Sequence, residues 1–247
     1  MGSRKLLVVN ADDFGFSPGV NHGVITAYSD GIVTSTSMMT RWPAAPEAAS
    51  LARQFPQLGI GLHLDLGEWA FRGGEWIPIY HVVDLEDEEA VIAEFENQLA
   101  TFRQLVGRSP THLDSHQHVH LREPGRSVVV RAGHSLGIPV RHFTPSIRYC
   151  GDFYGQTGEG QALPGAVSVD RMVRILADIS LGVTELACHP ATDAQQNTMY
   201  ATERVEELRT LCDPHIRRIV SDLGIELRSF GDLAGAGALF VPDSLQT

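Results

Sequence analysis

Short β-rich runs alternate with longer helical runs from one end of this 247-residue chain to the other. No other feature restricts the fold as much, because strands that alternate with helices pair in parallel and bury both faces of one sheet. Strands are predicted at 5–10, 33–39, 59–64, 111–115, 139–143, 183–188 and 225–229. Ser17-Pro18 is a helix cap followed by proline at the first helical position, opening a helix that runs to about residue 30. Further helices are predicted at 44–55, 91–106, 127–136, 169–181 and 202–223, the last broken or kinked at Pro214. The stretches 66–83 and 144–167 are rich in glycine, weakly patterned, and read as loops. About seven strand–helix units with no linker or repeat predict a single α/β domain over 1–247, core about 5–233. The architecture expected is an irregular (β/α) barrel, with a doubly wound open sheet as the alternative. The first strand is not followed by a glycine-rich phosphate fingerprint, since Ala11-Asp12-Asp13-Phe14-Gly15 stands there instead.

Charge narrows the function. The net charge is −11, with 19 basic against 30 acidic residues and no Lys/Arg cluster, which excludes a nucleic-acid or anionic-membrane binder. Lys5 is the single lysine, at the start of the first strand. Schiff-base aldolases, P-loop NTPases and hydrolases that bridge two metals with a modified lysine are therefore excluded. Three widely spaced cysteines, Cys150, Cys188 and Cys212, fit neither a disulfide framework nor a paired-cysteine zinc site, and point to a reduced, cytoplasmic chain. No stretch approaches the roughly 18 apolar residues of a membrane span. Apolar outer faces on barrel helices are compatible with a homodimer.

The residues that carry chemistry stand at predicted strand ends. Asp12 and Asp13 follow the first strand, His63 ends the third, Asp114 and His116 straddle the end of the fourth, and His189 ends the sixth. Parallel strands open their C-termini onto one face, so segments far apart in sequence converge there. Four of the eleven histidines fall within 112–120. Strand alternation puts His112, Asp114, His116, His118 and His120 on one face, a rule that lapses once the strand has ended. Two adjacent carboxylates repel unless a cation offsets them, and one carboxylate with two imidazoles is a familiar metal site that does not by itself select one ion. A second carboxylate left free beside a metal-activated water is placed to take its proton.

In order along the chain stand Asn10-Ala11-Asp12-Asp13-Phe14-Gly15, Gly31-Ile32-Val33-Thr34-Ser35-Thr36, Gly61-Leu62-His63, Pro110 through His120, and Cys188-His189-Pro190. This series resembles the YdjC-like carbohydrate deacetylase family. The resemblance implies a (β/α) barrel, a small carbohydrate substrate, and one divalent cation, magnesium by family habit with zinc as the alternative. It implies that Asp13, His63 and His116 hold the metal. Asp12 would be the general base, by analogy with the Asp-Asp pair of the related NodB-type polysaccharide deacetylases. In that wider group the two histidine ligands lie in one motif, whereas here they come from two strands.

The chemistry expected is metal-assisted hydrolysis of an N-acetyl group on a sugar. His189 is the expected proton donor to the leaving amine, and the Phe14 backbone N–H an oxyanion donor. Asp114 and His118 are expected to orient the ligands, and Trp42, Trp69, Trp76 and Tyr154 to stack on sugar rings or pack locally. Two rivals share the same residues: a metal-dependent hydrolase of a cyclic imide, O-acetyl ester or phosphoester, and a non-catalytic sugar-binding protein on the same scaffold.

Overall fold

The computed structural model describes residues 4–195 and 198–233. Seven parallel strands form one curled sheet: β6 (Leu113–Ser115), β3 (Gly59–Leu64), β2 (Ser35–Met38), β1 (Lys5–Phe14), β8 (Gly182–Cys188) and β7 (Ile147–Cys150) in that order, with β9 (Ile225–Leu227) pairing on β1. Among the described residues no pairing joins β6 to β7, so the barrel is open there, a half-barrel. The helices are α1 (Pro18–Ser29), α2 (Ala45–Ala52), α3 (Glu88–Val106), α4 (Gly125–Leu136), α5 (Val169–Ala177), α6 (Glu203–Leu211), α7 (Pro214–Asp222) and α8 (Phe230–Leu233). Local signals set their ends. The Ser17 side chain accepts from Val20 N–H at the start of α1, and Gly107 closes α3 in the left-handed conformation.

Alternation along β1 explains where the site sits. Leu7, Val9 and Ala11 face the helices and join the main core. Leu6 and Val8 face the barrel interior, where they pack with Val183, Phe230 and Leu233. Further along the same inner face stand Asn10 and Asp12, also buried. The interior is thus plugged with apolar side chains at its base, partly by α8, and turns polar toward the strand C-termini. His112 belongs to the plug. Its ring stacks on Phe230 at 3.9 Å, over Gly61, where an added Cβ would lie 2.5 Å from that ring. Burial pushes the His112 pKa down to about 4 and keeps it neutral.

Three expectations change. The 66–83 segment is an antiparallel hairpin, β4 (Gly67–Arg72) and β5 (Glu75–His81), turned by Gly73 and Gly74 at positive φ. The 139–143 strand reduces to a single bridge between Val140 and Leu113, because His142 at φ +67 turns the chain away. The 144–167 loop contains β7, which pairs with β8. Pro214 breaks the 202–223 helix into α6 and α7. No helix among the described residues is long and apolar enough to cross a membrane.

Candidate active site

Asp12 and Asp13 stand inside the end of β1 rather than after it. The pairing with β2 slips between Ala11 and Phe14, and Asp13 takes a left-handed φ of +69. Such a kink is costly for a non-glycine residue and turns two consecutive side chains toward the same cavity.

Asp13 Oδ1 lies 3.1 Å from His63 Nε2 and 3.1 Å from His116 Nδ1. These three buried groups offer ligand atoms within 4.8 Å of one another. The far nitrogen of each imidazole faces a carboxylate: His63 Nδ1 is 2.8 Å from Asp114 Oδ1, and His116 Nε2 is 3.6 Å from Glu68 Oε2. Burial opposes protonation of both rings, but the carboxylates outweigh it and raise His63 to about 9 and His116 to about 10. Asp114 therefore stands where the sequence reading expected an orienting group, while Glu68, on β4, was missed.

The two aspartates do not rely on a cation to relieve their repulsion. Arg141 grips Asp12 with two N–H groups, Nη1 to Oδ2 at 2.6 Å and Nη2 to Oδ1 at 2.7 Å. It also contacts Asp114 at 2.9 Å and Glu185 at 2.7 Å. Arg204 donates to Asp13 Oδ2 at 2.6 Å. Burial raises the cost of both charges, yet Arg141 lowers the Asp12 pKa, and Arg204 and His116 hold Asp13 well below the carboxylate range. Glu185 shares Arg141 with two other carboxylates, and burial pushes its pKa up to about 7.

His189, at the end of β8, lies between two carboxylates. Its Nε2 is 3.8 Å from Asp12 Oδ2 and its Nδ1 3.8 Å from Glu207 Oε1. Glu207 on α6 is fully buried, accepts the His189 backbone N–H, and binds the Tyr200 hydroxyl. His118 also lines this cavity but belongs to a different group. The strand ends at Ser115, and left-handed Gln117 and His118 swing the following residues into a separate group of His118, His120 and His142. There His118 Nε2 is 3.3 Å from the Tyr149 hydroxyl, and both nitrogens of His120 are engaged, by Ser115 Oγ and the Arg141 carbonyl. Burial pushes His118 down to about 3 and His120 to about 4, so both rings stay neutral.

These groups open into a cavity of about 1320 Å³. Asp12, Asp13, His63, His116 and His189 line its floor, and Trp69, Trp76 and Tyr154 its walls. Trp42 is not on the wall: it packs on Phe16 at 4.5 Å and donates to Asp65 at 3.2 Å. The Phe14 side chain is fully buried in the core, and Phe14 does not line the cavity.

Comparison with known proteins agrees with the motif series. Residues 6–222 match the family model described as YdjC-like protein. The chain belongs to the YdjC-like family. Among its relatives, the chitooligosaccharide deacetylase of Serratia marcescens is 34% identical, covering 93% of this chain and 100% of its own. The carbohydrate deacetylase of Geobacillus stearothermophilus is 33% identical, covering 92% and 97%. A crystal structure from Enterococcus faecalis V583, named for cellobiose-phosphate cleavage, superimposes with a TM-score of 0.75 at 27% identity, covering 94% of this chain and 99% of that one. The family and the barrel expected from sequence are thus both found.

Proposed function

We propose that this chain is a metal-dependent deacetylase of N-acetylated sugars, with one divalent cation held by Asp13, His63 and His116. The observation that carries the reading is Asp13 Oδ1 standing 3.1 Å from a nitrogen of each of two buried imidazoles, beside a second aspartate held apart by its own arginine. The residues fit a cation. Each imidazole is backed by a carboxylate, the outer arrangement typical of ligating histidines. The field of these carboxylates favours positive charge at this point. Two nitrogens and one oxygen suit a borderline ion such as zinc better than magnesium, which prefers oxygen. The names of the Serratia and Geobacillus relatives support the substrate class.

A bound ion supplies a Lewis acid and a lowered water pKa. The remaining work falls to the chain. Asp12 takes the proton of the attacking water. Its Oδ1 accepts from Arg141, from Asn10 Nδ2 at 2.8 Å and from the Ser37 hydroxyl at 3.5 Å, whereas Oδ2 accepts, among the described residues, only from Arg141. A carboxylate oxygen has two lone pairs, so Oδ2 keeps one for the proton. Arg141 keeps Asp12 ionised and fixes its plane. His189 delivers a proton to the departing sugar nitrogen, and Glu207, which accepts the His189 backbone N–H, stands 3.8 Å behind its Nδ1. Trp69, Trp76 and Tyr154 offer ring faces to the sugar.

The test is acetate release from a panel of N-acetylglucosamine oligomers and other N-acetyl sugars, with and without chelator. Acetate release that stops with chelator and returns with a divalent ion is expected. No acetate from any member, or turnover indifferent to chelation, overturns the reading.

A further inference from the structure

The hairpin β4–β5 lies outside the curled sheet, and its second strand is largely exposed, yet Glu68 on its first strand is 1% exposed. The two oxygens of Glu68 have different surroundings. Oε1 accepts from the Thr198 hydroxyl at 2.8 Å and the Met199 N–H at 3.3 Å. Among the described residues Oε2 is buried without a hydrogen-bond partner, and it faces His116 Nε2 at 3.6 Å. That nitrogen is likewise buried and, among the described residues, has no hydrogen-bond partner. Two such atoms, one an acceptor and one able to carry a proton, are a few tenths of an ångström from a charge-assisted hydrogen bond. The opposite nitrogen of the same ring, Nδ1, faces Asp13.

We infer that Glu68 is the positioning residue of His116: it accepts the Nε2–H proton, leaves the Nδ1 lone pair for the cation that Asp13 would share, and so ties metal affinity to the seating of the hairpin. This rests on the reading that Asp13, His63 and His116 hold the cation. Asp114 does the same for His63 from within the barrel, on β6. Glu68 differs because it arrives on the element that also carries Trp69 and Trp76 to the cavity wall. A sugar that seats the hairpin therefore tightens the metal, and by linkage the metal tightens the sugar by the same factor.

The experiment is zinc titration of the metal-free full-length chain against a chromophoric chelator, with ¹⁵N-histidine NMR of the zinc-loaded form. His116→Ala and Asp13→Asn lose tight zinc binding. Glu68→Ala weakens zinc about 10–100-fold, the range expected when the outer partner of a ligating histidine is removed. Glu68→Gln, whose amide oxygen accepts the same proton, recovers part of that loss. Thr198→Ala, which cuts only the outer tie, stays within about threefold on the same scale. In the wild type the His116 Nε2–H exchanges slowly, and in Glu68→Ala it exchanges fast. If Glu68→Ala fails to fold, Glu68→Met takes its place. Wild-type zinc affinity and a protected Nε2–H in the Glu68 variants, with binding lost in His116→Ala, overturn this inference alone. Wild-type affinity in His116→Ala and Asp13→Asn overturns the site reading beneath it.

Discussion

The rim of the barrel and the wall of the cavity are built in opposite ways. At the rim, Asn10, Asp12, Asp13, His63 and Asp114 come from the parallel strands β1, β3 and β6 of one sheet and are all buried. Arginine contacts join the carboxylates, so each charge is fixed by groups the sheet itself places. The wall comes from insertions: the β4–β5 hairpin and the segments that carry Tyr154 and Thr198. Trp76 there is 49% exposed. A scaffold that must hold charges to within a fraction of an ångström is rigid, while the surface that meets a variable sugar is free to differ.

The largest effect tests the rim. Asp13→Asn or His63→Ala is expected to abolish metal binding and reduce kcat/KM by at least about a thousandfold, read by metal analysis and acetate release together. A smaller loss would mean that the rim tolerates imprecision as the wall does. Next, Glu207→Gln removes the charge behind His189 and is expected to lower kcat about 10²-fold, metal content unchanged. Equal losses in kcat and metal would move Glu207 into the metal-holding set.

Glu185 tests how saturated the rim is. One guanidinium faces three carboxylates, and burial lifts the folded-state pKa of Glu185 to about 7, above its ordinary 4.5. Between these values the unfolded chain releases its proton first, so this contribution is complete below pH 4.5 and is lost as pH rises toward 7. Glu185→Gln should remove a slope worth roughly 3 kcal/mol over that window, seen as a wild-type-minus-variant difference in urea stability that shrinks with pH. A flat difference would show that Arg141 holds all three charges. The smallest effect tests the wall: Trp76→Ala is expected to raise KM a few-fold for oligomers and leave kcat alone, in keeping with the ~0.5–1.5 kcal/mol of one aromatic contact.

The same contrast decides what could be read from sequence. Period-two patterning and strand ends exposed Asp12, Asp13, His63, Asp114, His116 and His189, because parallel strands bring distant segments to one rim by rule. Arg141 lies within the 139–143 run, read as a strand interior, whereas the run pairs through one bridge at Val140 and Arg141 already stands at its end. The hairpin left a signal in Gly73-Gly74 between two aromatic-rich runs, yet nothing local marks Glu68 as facing a histidine 48 positions later. Arg204 and Glu207, three apart on α6, share a helix face, but only packing of that helix against the strand ends brings them to Asp13 and His189. Strand alternation stops at Ser115, and the left-handed Gln117 and His118 after it set the direction of the His118 ring, which no strand rule could give.

The central claim is that neighbouring aspartates divide the work, Asp13 holding the cation and Asp12 taking the proton. Asp12→Asn measured for bound metal and for acetate release on the same preparation tests it directly. The account predicts one equivalent of metal retained and acetate release down by about 10³-fold or more. Near wild-type turnover, or loss of the metal with the activity, would contradict it.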